Sequence, residues 1–333
     1  MTIKVGINGF GRIGRCTLSH IARSGRDDIE VIKLNATGAV ETAMHLLKYD
    51  SVHGRFPNEI TIGDGTINLG QNDIEMMSSY DLDALDWSGC DVVLECTGQF
   101  NDGEKADAHI RNGAKKVLLS GPGVNVDRTV VYGVNDHEML ASDVMISNGS
   151  CTTNCLAPLA KVMHEAVGIQ SGIMTTIHSY TGDQYTLDKR HKDLYRARAA
   201  AMAIIPTSTG AAKALGQVMP ELKGILDGTC LRVPTPNVSV VDLTFTAKRD
   251  TSVEEINAAA KAAVEGHMSH VMAYDPEKKV SIDFNQTEHS SIFAPDQTMV
   301  TGGRTVRVLA WYDNEWAFSV RMADVAVAMG KLG

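Results

Sequence analysis

Cys151 and His178 are two side chains whose types suit covalent catalysis. A cysteine becomes a strong nucleophile when its surroundings stabilise the thiolate, and a nearby imidazole does so. Cys151 lies in residues 150–155 (SCTTNC), directly before a run with helical character at residues 156–161. The positive end of a helix dipole stabilises a thiolate further. The pair indicates a reactive thiol, and the alternative is a buried, inert thiol with an unrelated histidine.

A second motif, at residues 5–15 (VGINGFGRIGR), holds the pattern Gly-x-Gly-x-x-Gly in Gly9, Gly11 and Gly14. An apolar, β-branched run precedes the glycines, and a helical pattern follows them through Ile21. Strand, glycine turn and helix in this order form the context in which the pattern binds the pyrophosphate of a dinucleotide. The glycines let the backbone approach the phosphates, and the helix N-terminus supplies N–H groups. The sequence therefore predicts a dinucleotide site here.

Together, the two motifs closely resemble those of the phosphorylating glyceraldehyde-3-phosphate dehydrogenases. The resemblance covers essentially the whole chain, and its blocks follow one another in the family's order. They are residues 48–54 (KYDSVHG), 95–98 (ECTG), 147–155 (SNGSCTTNC), 175–184 (TTIHSYTGDQ), 206–213 (PTSTGAAK), 232–234 (RVP) and 311–316 (WYDNEW). So many blocks in the right order do not agree by chance.

The resemblance implies a reversible oxidation of glyceraldehyde 3-phosphate to 1,3-bisphosphoglycerate. In this reaction Cys151 attacks the aldehyde as a thiolate and forms a hemithioacetal. Loss of hydride to the nicotinamide leaves a thioester, which inorganic phosphate cleaves to an acyl phosphate. His178 raises the thiolate fraction and later acts as acid or base. The family also implies that His178 and the Cys151 backbone N–H stabilise the hemithioacetal oxygen.

The resemblance further implies two anion sites and a cofactor site. Hydroxyls, backbone N–H groups and arginines are suitable donors for phosphate oxygens. For the substrate's phosphate, the matching residues are Thr181 and Arg232, with Asp183 orienting its neighbours. For the attacking phosphate, they are Ser150, Thr152, Thr209, Gly210 and Arg196. The cofactor positions are Gly9, Phe10, Gly11, Arg12, Ile13, Gly14, Asn35, Ala36, Thr37, Thr97, Gly98, Ser120 and Asn314, the last of which fixes the nicotinamide carboxamide.

Two departures from the family bear on the choice between NAD and NADP. NAD-specific folds of this kind carry an acidic residue after the second strand, which accepts from both ribose hydroxyls. The family's usual Asn-Asp stands here as Asn35-Ala36. Lys189 and Arg190 replace a leucine–proline pair that NAD-using members typically carry, and they can reach a 2′-phosphate across a subunit interface. We therefore predict NADP use or dual NAD/NADP specificity. The alternative is that both cations are solvated and that Asn35 and the backbone hold NAD.

Two other functions compete with this interpretation. Erythrose-4-phosphate dehydrogenase shares the fold and the thiol but ends in hydrolysis, and its family tends to lose the block that stands intact here at residues 180–183 (YTGD). A non-catalytic binding protein on the same fold predicts decay of the nucleophile or its base. Both Cys151 and His178 are present, which favours an enzyme.

The composition limits the class of protein. Of 333 residues, 44% are hydrophobic and 21% are charged, which is typical of a globular protein, and the length favours two domains. No apolar run reaches the roughly 18 residues of a membrane span, so we expect no membrane partner. The net charge of −9 argues against general nucleic-acid binding.

The cysteines bear on metal binding and location. Cys151 and Cys155 have no second cluster to complete a zinc site, so no metal is expected. Six cysteines in a chain of this length do not form a disulfide framework, and the first residues lead straight into a strand, which leaves no room for a signal peptide. We therefore expect a cytoplasmic protein. The resemblance implies a homotetramer, with residues 179–199 at a subunit interface.

In the first half of the chain, apolar strands alternate with helical patterns, which predicts a mostly parallel sheet. The predicted strands are residues 30–34, 91–96, 116–120, 130–133 and 144–147, with a helix at 105–114 and a hairpin at 57–72. Beyond residue 151 the predicted strands are 172–177, 238–245 and 305–311, with helices at 251–265 and 315–329.

The predicted fold is α/β and has two domains. Residues 1–150 with 315–333 are predicted to form a Rossmann-type, parallel-sheet NAD(P)-binding domain. Residues 151–314 are predicted to form an α+β catalytic domain with a largely antiparallel sheet.

Overall fold

A computed structural model describes all of residues 1–333. The chain divides into two compact units, each with its own large sheet. The first unit comprises Met1–Tyr132, Asp136–Ser150 and Phe318–Gly333. The second comprises Gly133–Asn135 and Cys151–Ala317.

The first 150 residues hold eleven strands and three helices. The strands are β1 (Ile3–Asn8), β2 (Ile29–Asn35), β3 (Tyr49–Asp50), β4 (Gly54–Arg55), β5 (Thr61–Ile62), β6 (Thr66–Asn68), β7 (Asp73–Met77), β8 (Val92–Glu95), β9 (Lys116–Leu119), β10 (Arg128–Thr129) and β11 (Met145–Ser147). The helices are α1 (Arg12–Ser24), α2 (Val40–Lys48) and α3 (Gly103–Arg111).

The sheet of the first unit is mostly parallel, which confirms the predicted fold class. Its strands follow the order β10-β11-β9-β8-β1-β2-β7-β6-β5. All pairs from β10 to β7 are parallel, whereas β7–β6 and β6–β5 are antiparallel. The last two strands form the predicted hairpin, whose turn contains Gly65 at φ +71°. Strands β3 and β4 pair separately as a short ribbon.

The central strands of this sheet are covered on both faces. Strands β8 and β9 are buried at every position, which explains their runs of three apolar residues, VVL in β8 and VLL in β9. Because the strands are parallel, their carboxyl ends meet at one edge. Asn8, Asn35 and Glu95 end strands β1, β2 and β8 at that edge. Polar side chains are thus gathered where open α/β sheets bind ligands.

One predicted strand of this half is wrong. The apolar run at residues 130–133 is not a strand, and β10 lies just before it at Arg128–Thr129. Val130 and Val131 are both 0% exposed, so their apolar character reflects burial in the core. A short apolar run alone does not distinguish a strand from other buried backbone.

The rest of the chain holds eight strands and four helices. The strands are β12 (Ile169–Ser179), β13 (Ile205–Thr207), β14 (Leu226–Val233), β15 (Ser239–Ala247), β16 (Met272–Tyr274), β17 (Ser291–Phe293), β18 (Met299–Thr301) and β19 (Thr305–Tyr312). The helices are α4 (Cys151–Val167), α5 (Ala211–Val218), α6 (Val253–Glu265) and α7 (Trp316–Lys331). Short 3-10 turns occur at Leu82–Ala84, Asp136–Glu138, Pro220–Leu222, Ser281–Phe284 and Pro295–Gln297.

The sheet of the second unit is largely antiparallel, as predicted. Its order is β13-β14-β12-β15-β19-β17-β16, and β18 also pairs with β19. Only β12–β14 and β16–β17 are parallel. The predicted helix start near residue 252 is confirmed, because the Ser252 hydroxyl accepts a hydrogen bond from the Glu255 N–H at the start of α6.

The last turns of helix α7 pack against the sheet of the first unit. Within the first unit, Gly330 lies so close to Ile3 of β1 that a Cβ at Gly330 would stand 2.6 Å from the Ile3 side chain. The Lys116 ammonium of β9 also donates to the Met329 carbonyl at 3.0 Å. None of the helices combines the length and the apolar character needed to cross a membrane.

The tight packing of α1 on the β1 turn gives a first prediction. A Cβ added at Gly14 would lie 2.1 Å from the carbonyl oxygen of Gly9, and that oxygen belongs to the backbone. We expect Gly14→Ala to lower the free energy of unfolding by about 1–3 kcal/mol, despite the higher helix propensity of alanine. Urea denaturation of the purified protein measures this change.

Gly11→Ala is the matched control. No atom lies within 4 Å of a Cβ placed at Gly11, so the variant is expected to stay within about 0.5 kcal/mol of the wild type. Equal stability of the two variants would contradict the packing argument.

Candidate active site

Cys151 and His178 meet in the second unit. Cys151 is the first residue of α4, and His178 is the penultimate residue of β12. The Cys151 Sγ lies 3.4 Å from the His178 Nε2. Cys151 is partly exposed, whereas His178 is 4% exposed. The residue is thus partly accessible, and its thiol lies against the imidazole at the N-terminus of a helix.

The other ring nitrogen of His178 fixes the ring's orientation. His178 Nδ1 lies 2.7 Å from the Ser179 carbonyl oxygen, which can only accept a hydrogen bond. The Arg232 Nη1, which can only donate, lies 3.0 Å from the same Nδ1, but the Ser179 carbonyl and the Thr181 hydroxyl accept from that group. A proton on Nδ1 leaves the Nε2 lone pair directed at the thiol. The Ser179 main chain is held in turn, because its N–H donates to the Ser239 hydroxyl at 3.0 Å. This arrangement suits His178 as a proton acceptor for Cys151.

The turn before β15 is strained and contacts Ser179, the residue whose carbonyl orients the His178 ring. Val238 has a φ of +67°, a conformation that β-branched residues rarely adopt and that costs on the order of 1–3 kcal/mol. Its carbonyl accepts from the Ser179 hydroxyl at 2.8 Å, and the next hydroxyl, of Ser239, donates to Asn314 Oδ1 at 2.7 Å. The Asn314 Nδ2 has no partner in the protein. The turn thus holds the amide of Asn314, which is predicted to bind the nicotinamide, and leaves its Nδ2 donor group unbonded.

Tyr312 packs beside Cys151 and His178. Its hydroxyl lies 2.9 Å from the hydroxyls of both Thr152 and Thr176, and its ring meets the His178 ring edge-on at 5.9 Å. Sequence reasoning did not single out Tyr312, although it lies within the block at residues 311–316. Cys155 is fully buried one helical turn beyond Cys151, and burial raises the pKa of its thiol. It has a packing role in this structure.

Burial opposes a single charge on either partner. It raises the pKa of the Cys151 thiol, although Arg232 counteracts part of the rise. Burial, together with Arg232, lowers the pKa of His178. Transfer of the proton from Sγ to Nε2 creates two opposite charges 3.4 Å apart, each of which stabilises the other. Ionisation therefore belongs to the pair and not to the thiol alone.

This coupling gives a second prediction. His178→Asn removes the proton acceptor and leaves a thiol whose pKa burial holds above its ordinary value. We expect the pH profile of Cys151 alkylation by iodoacetamide to shift to higher pH, with a rate at pH 7 at least about tenfold below that of the wild type. Mass spectrometry of the modified peptide measures the rate.

His267→Asn is the matched control for that experiment. His267 is a surface histidine of the second unit, with a side chain 56% exposed beside Glu165. Its replacement should leave the alkylation profile unchanged. An unchanged profile in His178→Asn as well would show that the imidazole does not activate the thiol.

Four of the predicted anion-binding side chains are linked to one another. Strand pairing sets Arg232 of β14 opposite His178 of β12. The Arg232 Nη1 donates to the Thr181 hydroxyl at 3.1 Å, and Thr181 donates to Asp183 Oδ1 at 2.5 Å. Arg196 donates to Asp183 Oδ2 at 2.6 Å. All four predicted residues therefore form one chain of contacts beside the imidazole.

This chain carries an excess of positive charge. Burial opposes ionisation of Asp183, but the bond from Thr181 and the charges of Arg196 and Arg232 lower its pKa overall. The carboxylate balances one of the two guanidinium groups and leaves one positive charge for an anion. Thr207, which sequence reasoning missed, accepts from Arg196 Nε at 2.9 Å. Its only signal was its place in the block at residues 206–213.

The remaining predicted phosphate ligands lie nearby in the chain. Gly210 is exposed at the N-cap of α5 and offers no side chain, but the Thr209 hydroxyl accepts from the Ala211 N–H, the first of the helix, at 3.2 Å. Ser150 directly precedes Cys151. The Thr152 hydroxyl contacts Tyr312, and both the hydroxyl and the N–H of Thr152 also act on the Cys151 sulfur, where they lower the pKa of the thiol.

The first unit has a cavity at the carboxyl edge of its sheet. Six of the predicted cofactor residues line it, together with seven that were not predicted. The predicted residues are Gly9, Phe10, Gly11, Asn35, Thr37 and Thr97. The others are Asn8, Ser79, Tyr80, Leu82, Cys96, Gln99 and Phe100. The unpredicted residues come from loops whose proximity depends on strand order.

The glycine turn at this cavity suits the phosphates of a dinucleotide. A Cβ at Gly11 would meet no atom within 4 Å, so the turn is open where a phosphate would approach. No side chain caps the N-terminus of α1, which leaves its N–H groups free to bind an anion. Arg12 is not free in the same way, because Asp50 binds its guanidinium at 2.5 and 3.1 Å.

The other predicted cofactor residues do not line this cavity. Ile13 and Gly14 lie in the first turn of α1. Ala36 and Ser120 directly follow β2 and β9, and Gly98 lies three residues after the end of β8. Asn314, Lys189 and Arg190 belong to the second unit. The Lys189 ammonium lies 4.5 Å from the centre of the Tyr185 ring, and Arg190 is exposed.

The two units define a class of enzyme: dinucleotide-dependent oxidoreductases that use a cysteine nucleophile. Residues 3–103 match the model of the glyceraldehyde 3-phosphate dehydrogenase NAD binding domain, and residues 150–314 match that of the C-terminal domain of the same family. The chain belongs to the glyceraldehyde-3-phosphate dehydrogenase family. Its cofactor is accordingly a nicotinamide dinucleotide.

Curated relatives agree over their full lengths. Glyceraldehyde-3-phosphate dehydrogenase of Cereibacter sphaeroides is 61% identical over 332 residues, with 100% of each chain covered. The Xanthobacter flavus enzyme of that name is 58% identical, again with 100% of each chain covered. The chromosomal enzyme of Cupriavidus necator is 53% identical, with 99% of each covered.

Proposed function

We propose that this protein catalyses the reversible, phosphorylating oxidation of glyceraldehyde 3-phosphate to 1,3-bisphosphoglycerate. The observation that carries the proposal is the contact of the Cys151 Sγ with the His178 Nε2, beside a cluster of arginines, in a chain of this family. Residues 1–150 with 315–333 have the role of the NAD(P)-binding domain in this proposal. Residues 151–314 have the role of the catalytic domain.

The first step is the attack of Cys151 on the aldehyde. The sulfur electron pair forms a bond to the carbonyl carbon, and the thiol proton moves to the His178 Nε2. Protonated Nε2 then donates to the oxygen of the hemithioacetal, at which negative charge develops. The bound dinucleotide supplies the acceptor for the hydride that leaves the carbon. The hemithioacetal hydroxyl proton returns to His178, and Cys151 carries a thioester.

The second step is attack on that thioester by inorganic phosphate. A phosphate oxygen forms the new bond to the acyl carbon, and the Cys151 sulfur leaves as a thiolate. His178 stabilises the departing thiolate across the contact that activated it. The acyl phosphate is the product, and the cysteine is regenerated.

The arginine cluster supports the choice of substrate. Arg232 and Thr181 suit the phosphate that the aldehyde carries, because both lie beside the imidazole. Arg196, Thr209 and Gly210 suit the attacking phosphate, together with Ser150 and the Thr152 N–H. Arginine presents paired N–H donors that match the oxygens of a phosphate.

Phosphate dependence is the third prediction. With glyceraldehyde 3-phosphate, steady-state reduction of the dinucleotide should require inorganic phosphate, because phosphate releases the acyl group from Cys151. Without phosphate, we expect an acyl adduct on Cys151, detected by mass spectrometry after rapid quenching. Cys151→Ser should lose at least about a thousandfold in kcat, because serine has no comparable activated form in this site.

Erythrose 4-phosphate is the comparison substrate in the same assay. Faster turnover of erythrose 4-phosphate without any need for phosphate would favour a hydrolytic dehydrogenase. Full activity of Cys151→Ser would overturn the assignment of the nucleophile.

We also propose that the enzyme uses NADP, or both NADP and NAD. Position 36 carries the small, uncharged Ala36, which is 5% exposed, so no carboxylate repels a 2′-phosphate there. The neighbouring Thr37 is exposed and lines the cavity. Lys189 and Arg190 are exposed cations in the segment that the family places at a neighbouring subunit's cofactor.

Exchange of these residues gives the fourth prediction. Ala36→Asp adds a carboxylate at the end of β2, which should lower kcat/KM for NADP at least about tenfold and leave kcat/KM for NAD equal or higher. The double variant Lys189→Leu, Arg190→Pro should also lose NADP activity selectively. Initial velocities with each dinucleotide measure both effects.

Lys192→Leu is the control, because it removes an exposed cation from the same segment. It should leave the ratio of NADP to NAD activity unchanged. A clear NAD preference that Ala36→Asp does not alter would contradict the proposed cofactor choice.

We further propose a cytoplasmic homotetramer. All six cysteines are free, which suits a reducing compartment. Leu187, Leu194 and Met202 have exposed fractions of 73%, 82% and 79% within or just beyond the segment that the family places at a subunit interface. Apolar side chains exposed together in this way suit burial against another subunit.

A further inference from the structure

Glu95 is a charged residue buried without access to solvent. It ends strand β8 at the carboxyl edge of the first sheet, and it is 0% exposed. An isolated carboxylate in such a place is strongly disfavoured, so its partners must compensate for the lost hydration. None of the catalytic steps above uses this residue.

Four donors surround the Glu95 carboxylate. The Asn8 Nδ2 donates to Oε2 at 2.5 Å, and the His109 Nε2 lies 3.0 Å from the same oxygen. The Thr97 N–H donates to Oε1 at 2.8 Å, and the Thr97 hydroxyl contacts Oε1 as well. An ionised carboxylate, which only accepts, satisfies all four donors at once.

His109 fits this arrangement as a neutral donor. It is 0% exposed, and its Nδ1 has no hydrogen-bond partner. A proton on Nδ1 would therefore be a buried donor without an acceptor, which is costly. With the single proton on Nε2, His109 donates to Glu95 and leaves one net negative charge at this position.

From Oε2 a directed series of hydrogen bonds runs outward. The Asn8 Oδ1 accepts from the Asn35 Nδ2 at 2.7 Å. Asn35 then binds the Ser79 main chain twice: its Nδ2 donates to the carbonyl at 2.9 Å, and its Oδ1 accepts from the N–H at 3.0 Å. Each amide has one allowed orientation, because Glu95 can only accept at one end and Ser79 fixes the other.

A second series runs from Oε1. The Thr97 hydroxyl contacts Glu95 and accepts from the Gln99 N–H at 3.1 Å. Both series end in the wall of the cavity in the first unit, which Asn8, Asn35, Ser79, Thr97 and Gln99 all help to line. The Glu95 carboxylate therefore connects three segments that are distant in the sequence: the end of β1, the loop at Ser79 and the loop at Thr97.

We propose that Glu95 is a positioning residue for the dinucleotide: its single ionised carboxylate sets the orientation of Asn8 and Asn35 and holds the Ser79 and Thr97 loops in the form that binds the cofactor. The proposal rests on the proposed function only in taking this cavity as the dinucleotide site. Glu95 itself does not line the cavity and acts through its partners.

The charge, and not only the shape, of the side chain is required. In Glu95→Gln, one oxygen becomes an NH2 group of nearly the same size. On the Oε1 side, that group would face the Thr97 N–H. On the Oε2 side, it would face the Asn8 amide group, and a reversed Asn8 would face the Asn35 Nδ2. Asn35 cannot reverse without losing both bonds to Ser79.

The test is Glu95→Gln in the full-length protein, which is the fifth prediction. By isothermal titration calorimetry, we expect the dissociation constants of NAD and NADP to rise at least about tenfold. Amide hydrogen exchange should become faster in peptides that cover Ser79 and Thr97. Alkylation of Cys151 without cofactor should stay within about twofold of the wild type, since the thiol belongs to the other unit.

Val93→Ala is the matched control. Val93 is 0% exposed on the same strand and packs in a core cluster with Trp87 and Ala108. Its truncation lowers stability but leaves the hydrogen bonds of Glu95 in place, so both dissociation constants should stay within about twofold of the wild type. A general loss of stability would instead weaken cofactor binding in both variants.

Asn35→Ala tests the proposal independently of whether Glu95→Gln folds. It cuts the series between Asn8 and Ser79 and should weaken binding and speed exchange at Ser79. Wild-type affinity in either Glu95→Gln or Asn35→Ala overturns the proposal. Failure of the wild-type protein itself to bind NAD or NADP would instead overturn the dinucleotide site on which the proposal rests.

Discussion

The contact between the Cys151 Sγ and the His178 Nε2 is the interaction on which the proposed chemistry depends. Neither group is favoured as a lone charge in its buried surroundings, so the proton moves between them as the reaction requires. Three neighbouring groups favour this proton transfer. Ser179 orients the ring, Arg232 adds positive charge, and the start of α4 supports the thiolate.

In each unit, a predicted anion-binding position lies at a helix N-terminus that begins after a glycine. In the first unit α1 begins after Gly11, and in the second α5 begins after Gly210. Free N–H groups and the helix dipole favour phosphate oxygens at such positions. In the proposed function, main-chain groups therefore bind anions as much as side chains do, which is consistent with the net charge of −9.

Local signals carried much of the prediction. The glycine pattern, the hairpin turn near Gly65 and the cap at Ser252 each depend on residues close in sequence, and the structure contains the expected elements. The strand predicted at residues 130–133 was wrong because burial of Val130 and Val131 imitated a strand pattern. Long-range contacts left no such signal. The Asn8–Glu95 bond joins residues 87 positions apart, so nothing in the sequence indicated the network around it.

Asn35 shows the same limit at the level of one residue. The resemblance assigned it to the cofactor, and it does line the cavity, but its amide group is already bound to Asn8 and Ser79.

The parallel register of β12 and β14 has a further consequence. It keeps His178 and Arg232 side by side through rigid main-chain pairing, whereas Thr181, Asp183 and Arg196 lie on a long connection outside the sheet. Substitutions in the connection can therefore alter the proposed phosphate-binding residues Thr181, Asp183 and Arg196 and leave the paired strands that hold His178 and Arg232 unchanged.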